Sequence, residues 1–367
     1  MIHHDGRPYN VAVKKGREKM ETIINNGIKG ATSVIEQVQN RIVQDRIVKG
    51  KALEFRTLQG NPRMVTNEFD MSLHNFAWSQ VLSRAEIPER FANNLREKDW
   101  GKELLTHNLN TIYHNEDSRF LVRSTNNEVR GFLSDRFRRL DSRPLLESFV
   151  QACQTLNLQP IDGFAMDTQV RLRAVLPEVF EPIPDEPLLF GLEWKNSDFG
   201  HGGHGVSLWT MRVWCTNLAI GEECLRQVHL GKRLDDNIEY SQETYRLDTA
   251  ANASALKDVV HNSISPERVN AYLEVIQKAS REEIQGRDGA LSRLKKLLDK
   301  STAEKVADAF ASHDIVNMPA GNNLYRLSNA VSWIAQAKEF KPERRMELEE
   351  VAGWLLPKPV KGELVQV

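Results

Sequence analysis

Phe120-Leu121-Val122-Arg123-Ser124-Thr125-Asn126-Asn127-Glu128-Val129-Arg130-Gly131-Phe132-Leu133 is the stretch from which the fold can be read. Two runs rich in β-branched and aromatic residues flank an Asn-rich connection, which predicts a β-hairpin. Asn tolerates the left-handed backbone that a tight hairpin turn needs. Downstream, Val170-Arg171-Leu172-Arg173-Ala174-Val175-Leu176 alternates at period two. Leu188–Trp194 and the run 206–215 read as further strands, and they flank a Gly-rich, His-bearing connection at Lys195–Gly205.

Around these strands the period changes. Ser72 is placed to cap a helix over Leu73–Ala85, and Ile87-Pro88-Glu89-Arg90-Phe91 restarts one with Pro at its first turn. Leu145–Leu156 repeats apolar residues on one helical face. Ser265-Pro266 opens a series of helices that runs through Leu324–Phe340 and Glu343–Leu356. Strands, a helix and more strands followed by helices predict an α+β fold: an antiparallel β-sheet core with packed helices, a helical N-terminal arm and a helical C-terminal unit. The expected organisation is a basic, mostly helical arm over 1–69, an α+β core over 70–250, a helical region over 251–357 and a flexible tail over 358–367.

The arm carries Lys14, Lys15, Arg17 and Lys19, and its apolar residues from Met20 to Ile42 recur at threes and fours, with Gly27 and Gly30 breaking the middle. A solvated extension, a nucleic-acid arm and a segment docked on a neighbouring subunit are all open readings. Residues 234–265 are polar and locally acidic and read as a boundary.

The 367 residues contain 49 Lys plus Arg and 50 Asp plus Glu, a net charge of −1. That excludes a chain basic throughout but leaves room for a local basic groove. No apolar run is long enough to cross a bilayer. Met1–Arg7 lacks the apolar core of a signal peptide. Cys153, Cys215 and Cys224 form no disulfide framework and lack zinc-finger spacing. A reduced, cytoplasmic protein without a cofactor is expected, in the host cell if a phage encodes it.

The densest chemical signal is arginine. Residues 118–143 hold seven, at 119, 123, 130, 136, 138, 139 and 143, against Glu128, Asp135 and Asp141. Arg171, Arg173 and Arg212 lie on later strands, and Arg171 and Arg173, two apart, share a face. A guanidinium holds phosphate through two parallel hydrogen bonds and keeps its charge. A sheet presenting Arg119, Arg123, Arg130, Arg136, Arg138, Arg139, Arg171, Arg173 and Arg212 beside Phe132 and Phe137 is suited to track a phosphate backbone and stack bases. The alternative is that these arginines pair with nearby acids and cover a sheet edge.

His201-Gly202-Gly203-His204, beside Asp198, offers two metal ligands at a weak spacing, or a flexible connection, or a phosphate contact. Cys215 has no His placed by sequence to activate it. Asp162, Asp167, Glu178 and Glu181 match no known nuclease spacing. No convincing catalytic motif is present.

Four stretches in order carry a family likeness. Val129–Asp141, with Ser134-Asp135-Arg136-Phe137 at its centre, resembles the arginine-bearing signature of the phage- and plasmid-like proteins grouped as domain of unknown function 932. Ile87-Pro88-Glu89-Arg90-Phe91, Arg212-Val213-Trp214-Cys215-Thr216-Asn217 and Asn323–Val331 resemble its other elements. The resemblance spans roughly residues 70–340. It departs at Leu218, where the family usually has Gly, and the basic arm lies outside the pattern. It implies a phage or mobile-element origin and transfers no catalytic residue. The expected architecture is also reminiscent of Rad52-like single-strand annealing proteins.

The expectation is therefore a non-enzymatic protein that binds single-stranded DNA through a basic β-sheet groove and assists annealing or recombination as a ring or filament. The competing readings are a metal-dependent nucleic-acid-processing enzyme and an interaction protein that inhibits a host defence factor.

Overall fold

The computed structural model describes residues 11–58, 60–213, 218–227 and 240–358. It opens with a long helix, α1 (Val11–Asn40). Ala31, Val34 and Val38, three and four apart, are buried along one face. Gly27, expected to break this helix, sits within it. A Cβ there would lie 1.8 Å from the carbonyl oxygen of Ile161, so glycine permits the close approach of helix and strand backbone. The helix is packed against the protein's own second sheet through Met20, Ile161 and Trp209.

Beyond α1, the expected helical arm gives way to strands: β1 (Gln44–Lys49), β2 (Glu54–Leu58), β3 (Asn61–Val65) and β4 (Asp70–Leu73). Their inward positions are few, as in β3, where only Pro62 and Met64 are buried, and outward charges such as Arg56 and Arg63 hide the alternation. Next come α2 (Asn75–Arg84), α3 (Glu89–Arg96) and α4 (Asp99–His114). The cap of α2 is His74, whose Nδ1 accepts from the Phe76 N–H at 3.2 Å, because Ser72 is taken up by β4. The decisive hairpin follows as β5 (Arg119–Thr125) and β6 (Glu128–Ser134). Its turn residues Asn126 and Asn127 have φ of 51° and 59°, the left-handed backbone that Asn accepts. These strands form one sheet in the order β1-β5-β6-β4-β3-β2, with only β4 and β6 parallel. Its core holds Phe55, Trp78, Tyr113, Phe120 and Phe132.

The second sheet begins after α5 (Ser142–Thr155), with β7 (Gln159–Ala165), β8 (Val170–Val175), β9 (Phe180–Ile183), β10 (Glu186–Asn196), β11 (His204–Arg212) and β12 (Leu218–Gln227). It is antiparallel, ordered β12-β11-β10-β8-β7, with β9 beside β10. The described part of the polar stretch expected as a boundary is instead largely a helix, α6 (Gln242–Ser263). Its buried stripe mixes Thr249 and Asn252 with Leu256 and Val260, which mutes the apolar period. Then come α7 (Pro266–Arg281), α8 (Gly286–Leu294), α9 (Lys300–Ala311), α10 (Leu324–Ala335) and α11 (Pro342–Trp354). As expected, Ser265 caps α7 with Pro266 in its first turn. One core joins α1 and α5 to Leu172, Phe190 and Trp194 of the sheet and on to the C-terminal helices. Truncating Phe190 or Trp194 to Ala costs about 3–5 kcal/mol.

Residues 1–10 of the arm, Gln59, the Cys215-Thr216-Asn217 element, the acidic Asp235, Asp236 and Glu239, and residues 359–367 of the tail lie outside the described residues. Among the described residues no helix is long and apolar enough to cross a membrane.

Candidate nucleic-acid interface

The arginines singled out by sequence do not gather on an open platform. Each except Arg136 has a carboxylate within ion-pair distance, and the most buried are the most heavily engaged. A desolvated charge without a partner is costly, so burying arginine on a sheet recruits acids to it. Arg123 of β5 is 1% exposed. It meets Asp45 of β1 at 2.7 Å and Asp141 at 2.6 Å, and its Nη1 donates to the Asp198 carbonyl at 2.8 Å. Burial alone would lower its pKa, but Asp141 and Asp45 outweigh that and hold it above the ordinary value. Because Asp198 belongs to the β10–β11 connection, Arg123 fastens one sheet to the other.

The remaining arginines serve similar local purposes. Arg130 meets Glu128 at 3.0 Å and Asp167 at 3.1 Å. Arg138 binds Asp248 of α6, and Arg139 lies 3.4 Å from Asp45 and over the Tyr245 ring. Arg212 grips Glu186 at the base of the β10–β11 pair. Arg119 is 3.8 Å from Asp135. Phe132 stacks on Phe120 inside the first core, and Phe137 is buried against Leu121 and Leu133, so neither ring is available to a base.

Arg171 and Arg173 do share a face, as period two requires, and both reach Glu193 of β10, at 2.9 and 2.6 Å. Arg173 also holds Glu349 of α11 at 2.5 Å and Asp162 at 3.4 Å. Burial raises the Glu193 pKa, but Arg173 and Arg171 outweigh it and the net direction is down. For Glu349 burial prevails over Arg173 and the direction is up. The pair and its acids pin α11 to the sheet.

The two histidines diverge. His204 is buried on β11, edge-on to Trp194. His201 stacks on Phe76 of α2 at 4.4 Å, and its Nδ1 is 2.8 Å from the Thr168 hydroxyl. The loop is anchored: Ser197 Oγ accepts from the Phe199 and His201 amides, and Gln80 donates to the Phe199 carbonyl at 3.0 Å. Among the described residues no three His, Cys, Asp or Glu side chains are grouped to hold a metal.

A different set of cations does come together. On the second sheet, Arg171 of β8 is opposite Lys195 of β10, Lys195 is opposite Gly205 of β11, and Gly205 is opposite Arg226 of β12. This cross-strand row is three strand spacings wide, roughly 14 Å. Gly205, without a side chain, leaves its middle open. The row borders a cleft of about 380 Å³ completed by His201, Ser207, Glu350 and Trp354. Trp354, the last residue of α11, is 62% exposed. Among the described lining residues Glu350 is the single carboxylate, 3.7 Å from Lys195 and 3.3 Å from Arg171. The Arg171 Nε is buried and makes no hydrogen bond among the described residues.

Sequence reasoning found Arg171 and His201 but missed Lys195, Arg226 and Trp354. Lys195 was legible in principle, since it follows Glu193 at period two. Arg226 and Trp354 were not, because their place depends on strand register and on where α11 docks.

Comparisons with family models, with curated proteins and with solved structures found no match.

Proposed function

We propose that this protein binds single-stranded DNA at the cleft on its second sheet. The observation that carries the reading is the cross-strand row Arg171–Lys195–Gly205–Arg226, which borders one cleft beside an exposed Trp354. Arg and Lys neutralise phosphates without reading sequence, and an exposed indole stacks any base. The binding groove therefore moves from the paired arginines of residues 119–143 to residues contributed by four strands and a helix. We further propose, on the architecture reminiscent of Rad52-like single-strand annealing proteins, that strand binding serves annealing or recombination with several copies acting together along the strand, and, on the resemblance to the domain of unknown function 932 proteins, that it does so on a phage or plasmid.

Titration of a labelled single-stranded oligonucleotide at increasing salt tests this. Affinity falls with salt as counterions are released. In the Lys195→Ala/Arg226→Ala variant the log–log slope flattens by roughly 1.4, about 0.7 per lost contact on a single strand. Trp354→Ala weakens binding by about 1–3 kcal/mol without changing the slope. A folded double variant with the wild-type slope would place the strand elsewhere, and an absence of oligonucleotide binding by the wild type would remove the reading.

A further inference from the structure

The first sheet has a second cleft, of about 410 Å³, lined by three arginines and three carboxylates among the described residues, where α2 and α4 end beside the start of β5 and the end of β6. Arg84, Arg119, Arg136, Ser118, Ser134 and Asp135 are among its lining residues. Each carboxylate of the lining has a nearer partner than Arg84 or Arg136. Glu116 accepts from the Ser118 hydroxyl at 2.5 Å. Asp117 lies 3.5 Å from Lys51, and Asp135 is 3.8 Å from Arg119. Among the described residues no carboxylate lies within ion-pair distance of Arg84 or Arg136, although Asp135 acts on Arg84 at longer range.

Arg84 is also held in place. Its Nε donates to the Phe132 carbonyl at 3.3 Å, and its guanidinium lies over the Phe120 and Phe132 rings, 5.7 and 5.9 Å from their centroids. One edge of the fork is thus fixed while both terminal nitrogens make no hydrogen bond within the described protein. Arg136 is exposed and also lines the cleft. An oriented guanidinium with a second one nearby fits the tetrahedral oxygens of a phosphate, which can accept from both at once.

We propose that this cleft is a phosphate seat in which Arg84 and Arg136 grip a phosphate group, with Arg119 and the Ser118 and Ser134 hydroxyls around it. The chemistry is shared by inorganic phosphate and by the terminal phosphate of a nucleic-acid strand. Phe76, which stacks on His201 at the other cleft, is eight residues from Arg84 along α2, about 12 Å. The seat does not depend on strand binding at the second sheet.

The test titrates inorganic phosphate into the full chain at constant ionic strength, following the phosphorus resonance and calorimetric heat. Wild type shows saturable uptake at millimolar phosphate. Arg136→Ala, which removes an exposed side chain with no ion-pair partner among the described residues, weakens uptake about tenfold, and Arg84→Lys does the same by losing the fork while keeping the charge. Arg246→Ala, at an exposed α6 residue that lines neither cleft, leaves it intact. No saturable uptake by wild type, or uptake unchanged in both Arg136→Ala and Arg84→Lys, overturns the proposal. A second arm compares 5′-phosphorylated with 5′-hydroxyl oligonucleotides. A preference for the phosphorylated strand that vanishes in Arg136→Ala makes the strand end the ligand. Equal binding of both strands, with phosphate uptake intact, assigns the seat to free phosphate.

Discussion

Residues 119–143 and the second-sheet cleft are both rich in cations, and they use them in opposite ways. The first packs its arginines close in sequence, yet the structure spends nearly all of them internally: Arg123 on Asp45, Asp141 and the Asp198 carbonyl, Arg138 on Asp248, Arg139 on Asp45 and Tyr245. The second draws single residues from positions 171, 195, 201, 226 and 354 and sets them around one cleft, where Glu350 is the carboxylate among the described lining residues. Charge density along a chain measures how many partners a fold must find. Availability to a ligand depends on which charges remain under-compensated once those partners are counted.

The largest expected effect breaks the structural side of that contrast. Arg173→Ala removes the cation shared by Glu193, Glu349 and Asp162, and leaves the buried Glu349 without its ion-pair partner while Glu193 keeps Arg171. Unfolding in urea should show a loss of about 3–5 kcal/mol. A loss below about 1 kcal/mol would mean that the cluster is not what holds α11 on the sheet.

A smaller effect separates the two regions by function. Arg138→Ala/Arg139→Ala lowers stability by about 1 kcal/mol, since these pairs are partly exposed. It leaves the salt slope of oligonucleotide binding as in wild type. If this variant flattens the slope while Lys195→Ala/Arg226→Ala does not, the strand lies on the arginine-rich segment after all and the contrast reverses.

How much of this was legible follows from the range of the forces involved. The hairpin at 119–134 was readable because its turn and both strands are local, and Asn126-Asn127 names the turn. The strands at 170–175, 186–196 and 204–212 announced themselves through β-branched and aromatic residues, and the Ser265-Pro266 helix start through its cap. β1 to β3 were hidden because charged residues fill their outward positions and little of each strand is buried. Gly27 was misread because a glycine that breaks a helix and one that lets a helix touch Ile161 look alike in sequence. The arginine platform failed because Asp45, Glu193, Glu349 and Asp248 reach it from strands and helices far along the chain, and no local pattern records a distant partner.

The finest test concerns His201, which belongs to the cleft and to the junction of the two sheets at once. Burial pushes its imidazole below the ordinary value of 6.5. As pH falls below 6.5 the unfolded chain takes up this proton before the folded one does, and the His201 contribution to stability declines. In the cleft the sign is reversed, because a protonated His201 adds a cation facing the phosphates and a bound strand favours that form. Lowering pH from 7 to about 5 should therefore weaken the free protein while tightening its hold on the oligonucleotide, each by under about 1 kcal/mol at a half-exposed site. His201→Gln should remove the His201 part of both trends together. If only the stability trend responds to the substitution, His201 is a junction residue that the strand does not reach, and the cleft ends at Lys195.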